Sequence, residues 1–306
     1  MTRHFTTIDE LGPGDLSTIL ERSCSAFDDE TLKGQGVALV FERPSLRTRA
    51  SSSCAVHELG GYATFFGDEE IGLDTRESAE DVGRTLAEMY AIAALRVRDH
   101  GVFARMRQAT RERMSLINLL SNQAHPTQAV ADVLAIAEHF ANGDVHGLNG
   151  LEVAYVGDAT NVTRSLAVAL LGLGVNVTIG APDEFQLQPG GVEDPSGVSG
   201  GVLRLTGDPH DAVKSADVVY TDAWVSMGLE AQTQHRREVL SPFRVNATLM
   251  ASAKGGAVLM HCLPAHRGDE VTDDVLDGDA SLVWRQVFHR RTAMIGVLRW
   301  IKEENP

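Results

Sequence analysis

The chain has 306 residues, of which 43% are hydrophobic and 23% are charged, and its formal net charge is −15. This length predicts two globular domains, and no apolar run approaches the ~20 residues of a membrane-spanning helix. The acidic balance argues against nucleic acid and anionic lipid as partners, since both would be repelled.

The three cysteines, Cys24, Cys54 and Cys262, are widely spaced and odd in number. This pattern does not indicate a disulfide framework, and the start of the chain lacks the apolar run of a signal peptide. The sequence therefore predicts a cytoplasmic protein, because thiols stay reduced in that compartment.

Strand-like apolar runs alternate with helix-like segments along two stretches of the chain. The first stretch contains predicted strands at 36–41, 62–66, 91–97 and 115–119 and predicted helices at 47–59, 78–90, 103–111 and 126–140. The second contains predicted strands at 151–156, 175–180, 217–221 and 257–261 and predicted helices at 161–173, 210–216, 245–253 and 272–276. A last helix is predicted at 288–301. Such alternation predicts an α/β fold of two domains, each a parallel sheet flanked by helices.

Two glycine-rich stretches separate these elements. Residues 142–150 contain glycines and asparagines, and we expect the domain boundary there, between a domain at 1–141 and a second at 150–287. Residues 188–201 combine glycines with two prolines and predict a surface loop.

Five unusual segments follow predicted strands, at 42–49, 96–98, 157–161, 222–228 and 261–267. Ligands of open parallel sheets bind beyond the carboxyl ends of the strands. Their shared placement therefore predicts a ligand site.

The first of these segments ends in Ser45-Leu46-Arg47-Thr48-Arg49 and opens a helix. Free N–H groups at a helix start favour a phosphate, and the hydroxyl and guanidinium groups add donors. The alternative is a serine N-cap followed by solvated arginines.

A further segment, His125-Pro126-Thr127-Gln128, also begins a predicted helix. His125 and Gln128 lie about one turn apart and can both face a ligand at the helix start. The alternative is a histidine that caps its own helix.

Two turns in the second stretch suit an amino acid. Asn161 follows a strand-to-helix turn that lacks the G-x-G-x-x-G pattern, and it either caps the helix or contacts a ligand. Asp222 follows a strand end and suits pairing with an amino group, although a plain turn is the alternative.

The segment His261-Cys262-Leu263-Pro264 contains two metal-ligand types, but adjacent residues of a continuing strand point to opposite faces. No second cysteine pair accompanies it, so no metal is predicted. Leu263-Pro264 restricts the backbone, with the bond before Pro264 open to either a cis or a trans arrangement, and exposed carbonyls there can accept hydrogen bonds from an –NH2 group.

Taken together, these segments resemble the aspartate/ornithine carbamoyltransferase family. The family's phosphate loop, S-T-R-T-R, is similar to Ser45–Arg49, and its H-P-x-Q and H-C-L-P motifs are present at 125–128 and 261–264. D-x-W-x-S-M-G at 222–228 is typical of the ornithine branch. The similarity runs from about His4 to Trp300, with the motifs in family order.

The resemblance implies a first domain that binds carbamoyl phosphate and is completed by the last helix, 288–306. It implies a second domain that binds L-ornithine, and a homotrimer or a multiple of trimers with active sites at subunit borders. No cofactor is expected. The implied reaction gives L-citrulline and phosphate.

The resemblance also implies roles for the residues that match the motifs. The phosphate would be held by Ser45, the Leu46 N–H, Arg47, Thr48 and Arg96. The carbamoyl carbonyl would be polarised by Thr48, Arg96 and His125. The carbamoyl –NH2 would be held by Gln128 and the carbonyls of Cys262 and Leu263, with Arg290 also reaching the carbamoyl group. Ornithine would be held by Asn161, Asp222, Ser226 and Met227, and Cys262 is a candidate to orient or deprotonate its δ-amine.

The chain also departs from the family pattern. Leu46 replaces the usual threonine, Val97 replaces another, Arg291-Thr292 replace residues that usually include a histidine, and the loop at 69–78 contains no glutamine. Arg76 is a candidate to substitute for that glutamine. Two alternatives therefore stay open: a carbamoyltransferase for another amine, such as a modified ornithine or a diamine, and a non-catalytic binding homologue.

Overall fold

The structure is a computed structural model that describes residues 2–24, 30–188, 191–192, 200–225 and 230–303. The chain divides into two compact units, one made of Met1–Leu134 with Phe288–Pro306 and the other of Ala135–Val287. Each unit contains one parallel sheet flanked by helices, which confirms the predicted fold class. The domain limits stay a prediction, because the division into units falls inside two helices, Pro126–Ala141 and Val283–Lys302.

The described residues form nine strands and twelve α-helices. The strands are β1 (Gly36–Phe41), β2 (Tyr62–Gly67), β3 (Ile92–Arg96), β4 (Ser115–Leu120), β5 (Glu152–Val156), β6 (Asn176–Gly180), β7 (Leu203–Thr206), β8 (Val218–Thr221) and β9 (Val258–His261). The helices are α1 (Asp15–Cys24), α2 (Leu46–Glu58), α3 (Asp68–Ile71), α4 (Ala79–Ala87), α5 (Gly101–Thr110), α6 (Pro126–Ala141), α7 (Asn161–Leu171), α8 (Pro209–Val213), α9 (Thr233–Leu240), α10 (Ala247–Met250), α11 (Asp273–Leu276) and α12 (Val283–Lys302).

The sheet of the first unit has the strand order β2-β1-β3-β4. The central strands β1 and β3 are almost wholly apolar and buried, as expected for strands covered on both faces. The register places Phe41 opposite Arg96, and Arg96 opposite Leu120. The segments that follow these three residues therefore leave the sheet at the same edge.

The sheet of the second unit has the strand order β7-β6-β5-β8-β9. Thr221 pairs with His261, so the segments after β8 and β9 also begin side by side. Gly157, at the turn from β5 into α7, has φ +128, and a Cβ there would lie 3.3 Å from Trp224 Nε1. Only glycine suits this turn, because it combines the permitted φ with the close approach of the indole.

Four elements, β7, α1, α3 and α9, were not predicted from the sequence, and α3 is a single turn of four residues with none buried. β7 is a short edge strand whose four residues are exposed or half-buried, so it lacks an apolar run. α1 and α9 are mainly polar, with three and two buried residues respectively, so neither contains an apolar run. The last helix begins at Val283 rather than at 288.

Most of the predicted loop at 188–201 lies outside the described residues, which omit 189–190 and 193–199. Among the helices that are described, none combines the length and the apolar character needed to cross a membrane.

Candidate active site

The phosphate-loop segment lies at the start of α2, and Ser45 occupies the N-cap position. Its backbone is extended, but its side chain accepts no hydrogen bond from the helix. Instead, the Ser45 hydroxyl donates to Thr48 Oγ1 at 2.9 Å. Ser45 is therefore the N-cap of α2 by position, as the alternative had it, but its hydroxyl does not bond to the first N–H groups of the helix. Leu46 is 81% exposed, so its side chain packs against little in this chain.

Arg290 of α12 joins three of the predicted site residues in the first unit. Its Nη2 donates to Thr48 Oγ1 at 2.7 Å, and its Nη1 donates to Gln128 Oε1. The same Nη1 lies 3.4 Å from His125 Nε2. The side chain of Arg290 is buried. Residues that are far apart in the sequence thus meet around one guanidinium group.

The histidine of this cluster is surrounded by positive charge. His125 is buried, and its pKa is lowered well below 6.5, first by burial and then by the charges of Arg290, Arg96 and Arg47. All three arginines are therefore close enough to act on the imidazole. His125 is neutral at pH 7, so it can offer a hydrogen bond without adding charge.

In the second unit, the segments after β8 and β9 meet through Asp222 and Cys262. The Cys262 thiol donates to Asp222 Oδ1 at 3.0 Å, and the N–H of Ala223 donates to the same oxygen at 2.7 Å. Asp222 is 9% exposed and Cys262 is 8% exposed. The carboxylate is therefore held in place by its own turn and by the cysteine.

A second pair of buried side chains fixes the backbone after Cys262. The N–H of Leu263 donates to His261 Nδ1 at 2.8 Å, so this nitrogen is the acceptor and Nε2 carries the proton. His261 Nε2 then donates to Glu270 Oε1 at 3.1 Å. Leu263 has φ +58 and precedes a cis bond to Pro264. The His261–Glu270 pair thus supports a left-handed backbone position that a leucine rarely adopts.

A cluster of possible metal-ligand atoms also occurs at this position. The ligand-type atoms of Asp222, His261 and Cys262 lie within 4.8 Å of one another. Both ring nitrogens of His261 already have hydrogen-bond partners, and the Cys262 thiol donates to Asp222. Asp222 and Cys262 are therefore hydrogen-bonded to each other, whereas His261 is hydrogen-bonded to the N–H of Leu263 and to Glu270.

The turn before α7 is held from the far side by Arg236 of α9. Arg236 Nη1 donates to Asp158 Oδ2 and, at 2.9 Å, to the carbonyl of Trp224. Arg236 is 8% exposed and Asp158 is 7% exposed. Burial raises the pKa of Asp158, and the charge of Arg236 opposes this effect. The pair thus ties the turn after β5 to the turn after β8.

Asn161 is the first residue of α7, but Thr160 is its N-cap. The Thr160 hydroxyl accepts from the N–H of Val162 at 3.3 Å. The alternative that Asn161 caps the helix is therefore wrong. Ser226 and Met227, the other two predicted ornithine ligands, lie outside the described residues.

Comparisons with known proteins identify the family to which both parts of the chain belong. Residues 3–138 match the model of the aspartate/ornithine carbamoyltransferase carbamoyl-P binding domain, and residues 149–301 match that of the Asp/Orn binding domain. The chain belongs to the aspartate/ornithine carbamoyltransferase family.

Individual members of this family resemble the chain over most of its length. An anabolic ornithine carbamoyltransferase of Pyrococcus furiosus is 40% identical over 271 residues, covering 87% of this chain and 84% of that protein. An ornithine carbamoyltransferase of Mycobacterium ulcerans is 36% identical and covers 99% of both chains. The solved structure of ornithine carbamoyltransferase from Pyrococcus furiosus has a TM-score of 0.90 at 37% identity, covering 97% of this chain and 96% of that one. The predicted relation to this family is therefore confirmed.

The loop that departs from the family pattern is held by ion pairs within its own unit. Arg98 pairs with Asp68 at 2.8 Å, and Arg105 pairs with Asp74. Arg76 Nη1 donates to the carbonyl of Glu70 at 3.1 Å, which bends its side chain toward its own loop. The substitution of Arg76 for the missing glutamine stays a hypothesis.

The sequence analysis missed several residues of these networks. Asp132 lies one turn after Gln128 on α6, and the i,i+4 spacing of the two residues is the signal by which it could have been found. Glu270, Arg236 and Asp158 reach their partners through the fold, and no local pattern links Arg236 to Asp158 across 78 positions.

Proposed function

We propose that this protein transfers the carbamoyl group of carbamoyl phosphate to the δ-amine of L-ornithine, giving L-citrulline and phosphate. The observation that carries the proposal is the Arg290 cluster, which gathers Thr48, His125 and Gln128 within a family whose members are carbamoyltransferases. Relatives named ornithine carbamoyltransferase at 36–40% identity support ornithine as the acceptor.

The first unit is proposed to bind carbamoyl phosphate. Ser45, Arg47, Thr48 and the N–H of Leu46 hold the phosphate at the start of α2, where helix N–H groups and cationic side chains favour an anion. The Ser45 hydroxyl accepts no hydrogen bond from the N–H groups of α2, and this supports the role, because a hydroxyl that accepts from the helix is less available to a ligand.

The carbamoyl carbonyl is proposed to be polarised by Thr48, Arg96 and His125. Negative charge grows on this oxygen when the amine attacks, and donors placed in advance stabilise it. The lowered pKa of His125 supports two separate roles: the arginines supply positive charge, and the neutral imidazole supplies a hydrogen bond. Arg290 also reaches the carbamoyl group.

The carbamoyl –NH2 is proposed to donate to Gln128 and to the carbonyl oxygens of Cys262 and Leu263. Leu263 is held at positive φ through its N–H bond to His261, which fixes the direction of both carbonyls. Fixed acceptors select an –NH2 group because a methyl group has no proton to donate.

Ornithine is proposed to bind through Asn161, Asp222, Ser226 and Met227 of the second unit, with Asp222 facing its α-ammonium. The neutral δ-amine attacks the carbamoyl carbon and forms a new C–N bond, while the carbonyl becomes an oxyanion. The oxyanion collapses, the C–O bond to phosphate breaks, and the proton lost by the amine leaves with the departing phosphate. Cys262 keeps its proton in the bond to Asp222, so its sulfur can accept a hydrogen bond that orients the amine.

We further propose a homotrimer or a multiple of trimers, a cytoplasmic location and a role in arginine biosynthesis. The anabolic relative supports the direction of the pathway. Light scattering of the purified chain measures the assembly.

The decisive experiment is a citrulline assay with carbamoyl phosphate and L-ornithine, accompanied by calorimetry with carbamoyl phosphate. Citrulline at a rate proportional to enzyme concentration supports the proposal. Binding without any carbamoylated product favours a non-catalytic homologue, and a faster reaction with an acylated ornithine or a diamine favours another acceptor.

A further inference from the structure

A buried carboxylate lies on α6 directly beneath the proposed carbamoyl site. Asp132 is fully buried, and the residues around it on the helix, from 129 to 137, are apolar and buried as well. A carboxylate is costly to bury in such surroundings unless it is hydrogen-bonded. Gln128, one turn earlier, supplies one such bond, because its Nε2 donates to Asp132 Oδ1 at 2.7 Å.

The two ends of the Gln128 carboxamide have chemically different partners. Its oxygen faces Arg290, whose guanidinium can only donate hydrogen bonds, and its nitrogen faces a carboxylate oxygen. The reverse orientation would set N–H against N–H at Arg290 and oxygen against oxygen at Asp132. The orientation of Gln128 is therefore fixed by chemistry.

This orientation decides what Gln128 offers to a ligand. Arg290 Nη1 also lies beside His125, and its Nη2 donates to Thr48. The end of the Gln128 carboxamide that faces Arg290 therefore also faces the other residues of the cluster. The cluster therefore meets a carbonyl oxygen, which can accept from a second donor in addition to Arg290. The amide nitrogen points down α6, toward Asp132.

We propose that Asp132 is a positioning residue that makes the site specific for a ligand with an –NH2 group on its acyl carbon. It holds the Gln128 amide so that the oxygen stays turned toward the ligand. Arg290 cannot perform this role alone, since the proposed function has it share its donors with the carbamoyl group. The inference rests on that proposed function and extends it to the choice between carbamoyl phosphate and acetyl phosphate, which carries a methyl group in place of –NH2.

The test measures dissociation constants for carbamoyl phosphate and acetyl phosphate by calorimetry on the intact protein. The variants are Asp132→Asn, Gln128→Ala and the double variant. One hydrogen bond of this kind corresponds to roughly a two- to tenfold preference. We expect Asp132→Asn to reduce the preference for carbamoyl phosphate by about that factor, while the affinity for acetyl phosphate changes little. In the Gln128→Ala background, Asp132→Asn should have no further effect on the preference.

Thr110→Val provides a matched control, since it also removes a hydrogen bond of a fully buried side chain, here to the carbonyl of Met106. It should leave the preference unchanged. An unchanged preference in Asp132→Asn, an equal weakening of both ligands, or a full additional loss in the double variant would each overturn the inference.

Asp132→Asn could fail to fold, so a crystal structure of the unaltered protein with carbamoyl phosphate gives a second test. Gln128 Nε2 should still donate to Asp132 while Oε1 accepts from the ligand, and a rotated carboxamide contradicts the inference. An unaltered protein that binds no carbamoyl phosphate refutes the proposed function, and the inference falls with it. Normal binding with an unaffected Asp132→Asn variant refutes the inference alone.

Discussion

Because Arg236 and Asp158 form a buried ion pair, we expect the substitution Arg236→Met to lower the free energy of unfolding substantially. In Arg236→Met, Asp158, whose side chain is 10% exposed in the unaltered protein, loses its cationic partner. The same change removes the bond to the Trp224 carbonyl and the contact of the guanidinium with Phe185, whose ring centroid lies 4.7 Å away. Removing one partner of a buried pair costs about 3–5 kcal/mol, because a charge is left without compensation.

The loss of stability in Arg236→Met should depend on pH, and the pKa of Asp158 determines whether it grows or shrinks as the pH rises. Burial already raises the pKa of this carboxyl and Arg236 opposes the rise, so the pKa should increase further in Arg236→Met. A folded-state pKa above the ordinary 3.8 means that the folded protein holds the proton more tightly than the unfolded chain. The variant is therefore least affected at acidic pH, and it loses stability as the pH rises from 3.8 through the raised value.

Urea unfolding at pH 5 and pH 7 measures this, with Asp158→Asn and the double variant completing a cycle. The double variant should recover most of the stability, since no unpaired charge remains. Arg237→Met is the matched control, because Arg237 lies next on α9 but forms an exposed pair with Asp269, which is worth about 1 kcal/mol or less. A loss below about 1 kcal/mol in Arg236→Met at pH 7, or additive single losses, would refute the reasoning. Because Arg236 holds the turn containing Asp222 and Trp224, KM for ornithine should also rise while carbamoyl phosphate affinity is kept.

Three further outcomes are expected. Arg96→Ala and His125→Ala should each lower citrulline formation by about 10²–10³-fold while remaining folded by circular dichroism; near-normal turnover counts against these roles, and Arg113→Ala, which breaks an exposed pair with Glu88, is the control. Activity should rise through alkaline pH because the δ-amine, with a pKa near ~10.4, reacts only when neutral; a flat profile from about pH 6 to 9, with chemistry limiting, contradicts this. As the pH falls below 6.5, the free energy of unfolding of the unaltered protein should fall by up to about 1.4 kcal/mol per pH unit relative to that of His125→Gln. The reason is that the pKa of His125 is lowered in the folded protein, so the unfolded chain takes up the proton first. Parallel curves of stability against pH for the two proteins would exclude this effect.

The strands were the most predictable part of the fold. β1 and β3 are continuous apolar runs because both of their faces are covered, and such runs are visible in the sequence. β7 was not visible because an edge strand exposes its side chains. The limits of the predicted helices differ by several residues at α8 and α10, where polar turns on either side follow the same residue preferences as the helix ends.

The candidate site was predictable where its residues lie in short motifs. Ser45–Arg49, His125–Gln128 and His261–Pro264 each follow a strand and begin a helix or a turn, so their chemistry and placement could be inferred together. Their supporting residues could not be inferred, because Glu270 and Arg236 act through contacts that only the fold creates. Whether each motif residue has its proposed role stays a prediction.

The whole chain has a net negative charge, whereas the residues around His125 are positively charged. Screening by salt explains how the two can coexist in one protein. Surface charges are screened by salt within about 8 Å at physiological ionic strength, whereas buried groups are screened much less. Exposed carboxylates such as Glu69 and Glu77 are screened in this way, whereas the buried Arg290 bonds to Thr48 directly. Burial lowers the pKa of His125 most, and the charges of Arg290, Arg96 and Arg47 lower it further, because positive neighbours disfavour a protonated imidazole. A net charge of −15 thus acts against large polyanions at the surface, while three arginines from distant segments make the surroundings of His125 positive.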